Sequence, residues 1–126
     1  MTPLARELLA LVDATGPIPL DRYMAFCLTH PAYGYYTTRE PIGAAGDFTT
    51  APEVSQMFGE LLAARLHAAA VAAGQDRVAL VELGPGRGTL ARDLTRVLAG
   101  AGGLAVDLHL VEVSPRLRAA QRATLE

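Results

Sequence analysis

Glu82, Gly84, Gly86 and Gly88 fall within the stretch VELGPGRGTL (81–90), directly behind a short apolar run. Glycines at a strand end let backbone N–H groups and the following helix N-terminus approach a ligand. A neighbouring carboxylate can take up an amino or hydroxyl donor. Three ligand classes compete for such a loop. A nucleoside triphosphate loop requires GxxxxGK[ST], and all 11 basic residues of this chain are arginine. A dinucleotide fingerprint puts its third glycine at position 89, which is Thr89 here. The pattern present is Gly84-x-Gly86-x-Gly88 with Glu82 two positions ahead, and it suits S-adenosylmethionine. That ligand has no pyrophosphate, and its α-amino group can be served by Glu82 directly or through water. Glu112 closes a second apolar run 24 residues beyond Gly88, where an acid can accept from both ribose hydroxyls.

The elements that must position these residues follow from periodicity. RVALVEL (77–83) is a continuous apolar run of strand length, suited to the buried centre of a parallel sheet. Leu90, Leu94, Val97 and Leu98 form a helical stripe stopped by GAGG (100–103), and LAVDLHLVEV (104–113) is a second strand. Pro115 opens a last helix. Strand, glycine loop, helix and strand make one βαβ unit of a doubly wound α/β sheet. Upstream, Leu4, Leu8, Leu11 and Val12 predict a helix ending at Gly16-Pro17, and a second helix runs from Leu20 to Thr29, ended by His30-Pro31. The Tyr-, Thr-, Gly- and Pro-rich segment that follows reads as short extended pieces and an ordered loop. A third helix is expected over 52–73, with Val54, Met57, Phe58, Leu61, Leu62, Leu66 and Ala69 as its core stripe. The expected division is a helical region over 1–75, carrying an active-site loop at 43–53, and a cofactor domain beginning at 76.

Thr50-x-x-Glu53, with Pro52 in the first turn, has the form of a capping box. Two readings stand side by side. Thr50 and Glu53 are caps, or the loop with Asp47, Thr49 and Thr50 folds over the ligand and borders an acceptor pocket. Arg87 is expected at the solvated loop surface, His109 as a partly buried strand residue, His67 as exposed, and Cys27 in the core.

Composition sets the outer bounds. The length suits one modest domain. Apolar residues are 51% and the net charge is −2 without a basic block, so nothing favours nucleic acid or an anionic surface. The absence of lysine excludes Schiff-base chemistry, and a single cysteine without CxxC or clustered histidines argues against a metal site. No run reaches the ~20 apolar residues of a membrane span. A soluble, reducing compartment is expected.

LTHPAYGYYTTREPIGAAGDFTTAPEVSQMFGE, followed by VELGPGRGTL and HLVEVSP, strongly resembles the MidA family from about Gly16 to the end. That resemblance implies a class I (Rossmann-like) methyltransferase using S-adenosylmethionine. The acceptor is a protein arginine in the mitochondrial member, which helps to assemble respiratory complex I. By motif it carries over Glu82, Gly84, Pro85, Gly86, Gly88 and Glu112 as cofactor residues. The Asp47–Glu53 loop becomes an active-site neighbour, with Asp47 and Glu53 the candidates for orienting or deprotonating the acceptor. It also implies the first third of a longer enzyme, cytoplasmic in a bacterium or in the mitochondrial matrix of a eukaryote, with homo-oligomerisation open. The competing readings are a non-catalytic assembly module that keeps the fold, and an NAD-linked enzyme, which Thr89 disfavours.

Overall fold

The computed structural model describes residues 1–43, 46–100 and 104–126. Ala44 and Ala45 of the expected loop, and residues 101–103 of the expected GAGG turn, lie outside the described residues. The chain divides into two compact units, Met1–Pro41 and Ile42–Glu126, so the division falls upstream of the expected 75/76 boundary. The long central helix packs with the elements that follow it, which places it in the second unit.

In the first unit, the Thr2 side chain accepts from the Ala5 N–H at 3.2 Å with Pro3 in the first turn, starting α1 (Pro3–Thr15). The helix ends at Gly16, whose φ of 79° no β-carbon obstructs. α2 spans Leu20–Thr29 and stops before Pro31 as expected. The segment read as extended contains a helical turn, α3 (Tyr35–Thr38). The Thr37 and Thr38 hydroxyls donate back to the Gly34 carbonyl at 2.9 and 2.7 Å, which closes that turn against their β-propensity. Cys27 is half-buried rather than core.

The second unit begins with a parallel bridge between Ile42 and Phe48 and a short turn, α4 (Ala51–Val54). The expected third helix is broken at Ser55, whose backbone is extended (φ −154°, ψ 129°). Its hydroxyl accepts from the Met57 N–H and starts α5 (Gln56–Ala72) afresh. β1 (Arg77–Leu83), α6 (Thr89–Gly100), β2 (Ala105–Val111) and α7 (Pro115–Leu125) complete the order. The strands are parallel, with Arg77 opposite Ala105 and Leu83 opposite Val111. A two-pronged pair from Arg77 to Asp107 (2.7 and 2.5 Å) spans the register at its start, and holds the Asp107 carboxyl below its ordinary range.

Two expectations about packing are corrected. The stripe assigned to the core of α5 is largely exposed, with Met57 61% and Leu61 66% accessible. The buried side is Gly59, Ala63 and Ala70. Small residues win because α6 approaches closely: a β-carbon at Gly59 would stand 2.7 Å from Cβ of Asp93. The core is Ala63, Ala70, Leu94, Leu98 and Leu104, with Val78, Leu80 and Val106 packed against it. The strands are also not buried on both faces. Val78 and Leu80 turn inward, while Val81, Leu83 and Val111 are 55%, 75% and 52% exposed on the other face. His109 lies on that exposed face, and His67 is half-buried rather than exposed.

Candidate functional site

β1 delivers Glu82 to a cavity of about 170 Å³ at its carboxyl end. Gly84, Pro85 and Gly86 form one wall, and Thr50, Pro52 and Glu53 of the upstream segment form another. Both walls belong to the second unit, and of the loop residues expected over the ligand Thr50 lines the cavity while Asp47 and Thr49 do not. Of the eight residues expected at the site, Glu82, Gly84, Pro85, Gly86 and Glu53 line this cavity. Gly88, Asp47 and Glu112 do not. Asp47 is exposed and Gly88 is buried.

The three glycines all have positive φ, 65°, 56° and 82° in order, but face different neighbours. A β-carbon on Gly84 would meet nothing within 4 Å. One on Gly86 would stand 2.8 Å from Cδ1 of Ile42, and one on Gly88 would be 3.3 Å from Cα of Gln121. Gly84 is therefore the position open to a ligand, while Gly86 is closed by the protein's own loop. The loop is fastened by two internal bonds, Gly84 N–H to the Val111 carbonyl and Gly88 N–H to the Pro85 carbonyl, both 2.9 Å. Those two donors are spent on the fold and not on a ligand.

Glu82 is half-buried, and its Oε2 is fully covered without a hydrogen-bond partner among the described residues. Burial pushes its carboxyl above the ordinary glutamate value. A covered carboxylate oxygen lacking a donor is costly. A cationic donor in the cavity would remove that cost, so the site fits a ligand bearing an ammonium group.

Glu53 does not close the expected capping box, since Thr50 makes no side-chain cap bond. Its Oε1 instead accepts from the Thr89 hydroxyl at 2.5 Å, across 36 residues of sequence, and its Oε2 lies 3.9 Å from Nη1 of Arg87. The packing of α4 on α6 turns the carboxylate toward the cavity. Thr89, which entered the sequence reading only as a missing glycine, thus holds an acid in place. Arg87 is solvated, as expected, with 45% of its side chain exposed, yet it also borders the cavity.

Glu112 stands behind the glycine turn. Its Oε1 accepts from the Ser114 N–H at 2.8 Å, and its Oε2 from Nε2 of Gln121 at 3.4 Å. Ser114 is fully buried and caps α7 through the Leu117 N–H. Gln121, 4% exposed, had no motif to announce it. Among the described residues there is no cluster of metal-ligating side chains, and no helix is long and apolar enough to cross a membrane.

Comparison with known proteins identifies the family. A family model described as "Putative S-adenosyl-L-methionine-dependent methyltransferase" matches residues 57–126. The mitochondrial protein arginine methyltransferase NDUFAF7 of Bos taurus is 48% identical over 130 residues, covering 99% of this chain and 30% of that protein. Its Drosophila melanogaster homolog is 49% identical over 120 residues, covering 94% of this chain and 28% of its own length. Among solved structures, a likely methyl transferase from Burkholderia thailandensis bound to S-adenosyl-homocysteine superposes with a TM-score of 0.82 at 38% identity. That match covers 97% of this chain and 33% of that one. The chain thus spans about 30% of the length of the curated relatives it matches.

Proposed function

The chain belongs to a family of S-adenosyl-L-methionine-dependent methyltransferases, and from that premise we propose that it forms the donor-binding part of a protein arginine methyltransferase. The observation that carries this reading is the covered, unpartnered Oε2 of Glu82 on the wall of a cavity that Gly84, with free space before it, also lines. Glu82 would hold the α-amino group of the methyl donor, the Gly84–Gly86 turn would lie along it, and Glu112 would accept from the ribose hydroxyls. When bound, S-adenosylmethionine supplies an electrophilic methyl group.

The chain's own contribution is positioning and proton handling. Of the two acids expected near the acceptor, Glu53 borders the cavity and Asp47 does not. With Oε1 held by Thr89, Oε2 of Glu53, which faces Arg87 at 3.9 Å, is the oxygen that would orient an acceptor guanidinium in exchange for that loose ion pair and take the proton it sheds. Glu53 and Arg87 are also shared with a second, more open cleft that includes Arg92 and Gln56, which gives an acceptor side chain a route from outside. The acceptor is a protein arginine, as in the name of the bovine relative, and a respiratory-complex subunit is the first candidate. The compartment would be bacterial cytoplasm or mitochondrial matrix.

Calorimetric titration of the full chain with S-adenosylhomocysteine and with NAD tests the reading. We expect binding of the first alone, weakened in Glu112→Ala by roughly 1–3 kcal/mol. Preference for NAD, or an unchanged affinity in folded Glu112→Ala, would remove the donor site or Glu112 from it. A second reading, an assembly module without turnover, draws on the exposed apolar side of α5 (Met57, Phe58, Leu61). Methyl transfer to an arginine peptide separates the two.

A further inference from the structure

Gln121 sits on the second turn of α7 and touches both the glycine turn and Glu112 of the proposed donor site. Its Nε2 donates to the Gly86 carbonyl at 2.8 Å and to Oε2 of Glu112 at 3.4 Å, and its backbone packs under Gly88. Both partners are acceptors, so the amide can serve them only through its NH₂ end, which has two protons to give. The side-chain orientation is therefore fixed by chemistry as well as by burial.

The consequence falls on Glu112. An ionised carboxylate has about four acceptor positions. One is taken by the Ser114 N–H and one by Gln121, on different oxygens. Each oxygen keeps one position for an incoming donor, which matches the two adjacent hydroxyls of a ribose. A neutral amide fixes the carboxylate without cancelling its charge, whereas an arginine in its place would compete for the same lone pairs. We infer that Gln121 is a positioning residue: it locks Glu112 in the rotamer that reads a ribose diol and ties that acid to the glycine turn. This rests on the proposed donor site, with Glu112 as its ribose acid.

The test uses the full chain and two ligands, S-adenosylhomocysteine and its analogue lacking both ribose hydroxyls. Gln121→Met keeps the length and removes the donors. Gln121→Asn keeps the donors but is one methylene short. We expect both variants to bind S-adenosylhomocysteine about 10-fold more weakly, the scale of one lost hydrogen bond to a charged group. Both should bind the analogue as the parent does. Equal losses for the two ligands would make Gln121 a packing residue and overturn the inference, as would unchanged affinity for both in either folded variant. A parent chain that binds neither ligand overturns the donor-site reading itself, and the role of Gln121 with it.

Discussion

Gly84 and Gly86 offer a matched pair of perturbations. Alanine at either position meets the same backbone strain, because φ is 65° at one and 56° at the other. A left-handed residue with a β-carbon costs roughly 1–2 kcal/mol. What differs is the neighbour. At Gly84 the new methyl has nothing within 4 Å, so stability should fall by the strain alone. At Gly86 it would stand 2.8 Å from Cδ1 of Ile42, the end of a flexible side chain, and the overlap should add about 0.5–1.5 kcal/mol for an off-rotamer isoleucine. Ile42→Val removes that methyl and should return most of the added cost when combined with Gly86→Ala, although alone it is destabilising. Urea unfolding of the two alanine variants, Ile42→Val and the double variant measures the coupling. Titration with S-adenosylhomocysteine on the same samples supplies the second axis. Gly84→Ala should lose binding at least 10-fold, about 1.4 kcal/mol or more. Gly86→Ala should lose less and recover with Ile42→Val. Wild-type affinity in folded Gly84→Ala would refute the donor cavity, and additivity of Ile42→Val with Gly86→Ala would refute the contact that sets the magnitude.

Three further outcomes are expected. Glu82 holds its proton more tightly in the folded chain than in the unfolded one. Its contribution to the stability of the unliganded chain is therefore fully present below the unfolded value and lost as pH rises through the raised one. Affinity for S-adenosylhomocysteine runs the other way and weakens as pH falls through that raised value; a profile identical in Glu82→Gln, measured by titration, would exclude Glu82. Thr89→Val frees Glu53 and should lower kcat for methyl transfer about 10-fold, near 1.4 kcal/mol, with the donor KM held; a change confined to KM would contradict it. The exposed sheet face of Val81, Leu83 and Val111 should make the isolated 126-residue chain self-associate, seen as concentration-dependent elution. A monomer at all concentrations would show that this face is tolerated.

Punctuation made much of the fold legible. The Gly16-Pro17 stop, Pro31 and Pro115 bracket α1, α2 and α7 where the sequence places them, and β1 coincides with RVALVEL. The interior was harder to read. α5 carries apolar residues on more than one side, and periodicity weights the large ones. Close approach of α6 selects Gly59, Ala63 and Ala70, so the stripe chosen by size is the exposed one. Ser55 was hidden in the same way, because a serine inside an apolar pattern reads as helix until its own hydroxyl is seen to cap a new start. At the site, strand ends and glycines located Glu82 and the turn. The roles of Thr89 and Gln121 depend on contacts 36 and 35 residues apart, which no local pattern encodes.

Two buried carboxylate oxygens lack partners among the described residues, Oε2 of Glu82 and Oδ2 of Asp93, and they do not carry the same meaning. Asp93 is 1% exposed on α6 against Gly59, and its other oxygen is held by Nε and Nη2 of Arg92 at 3.1 and 3.0 Å. Its charge is already compensated, and it borders neither of the two clefts that Glu53 lines. It is a cost of packing two helices closely. Glu82 has no such compensation, and burial alone raises its carboxyl. It stands on a cavity wall, beside a glycine with open space before it whose own N–H is spent on the Val111 carbonyl. A covered acceptor without a partner on an open cavity wall is where a donor brought from outside would gain most. That contrast, rather than the glycine pattern alone, is what supports the proposed donor site at Glu82.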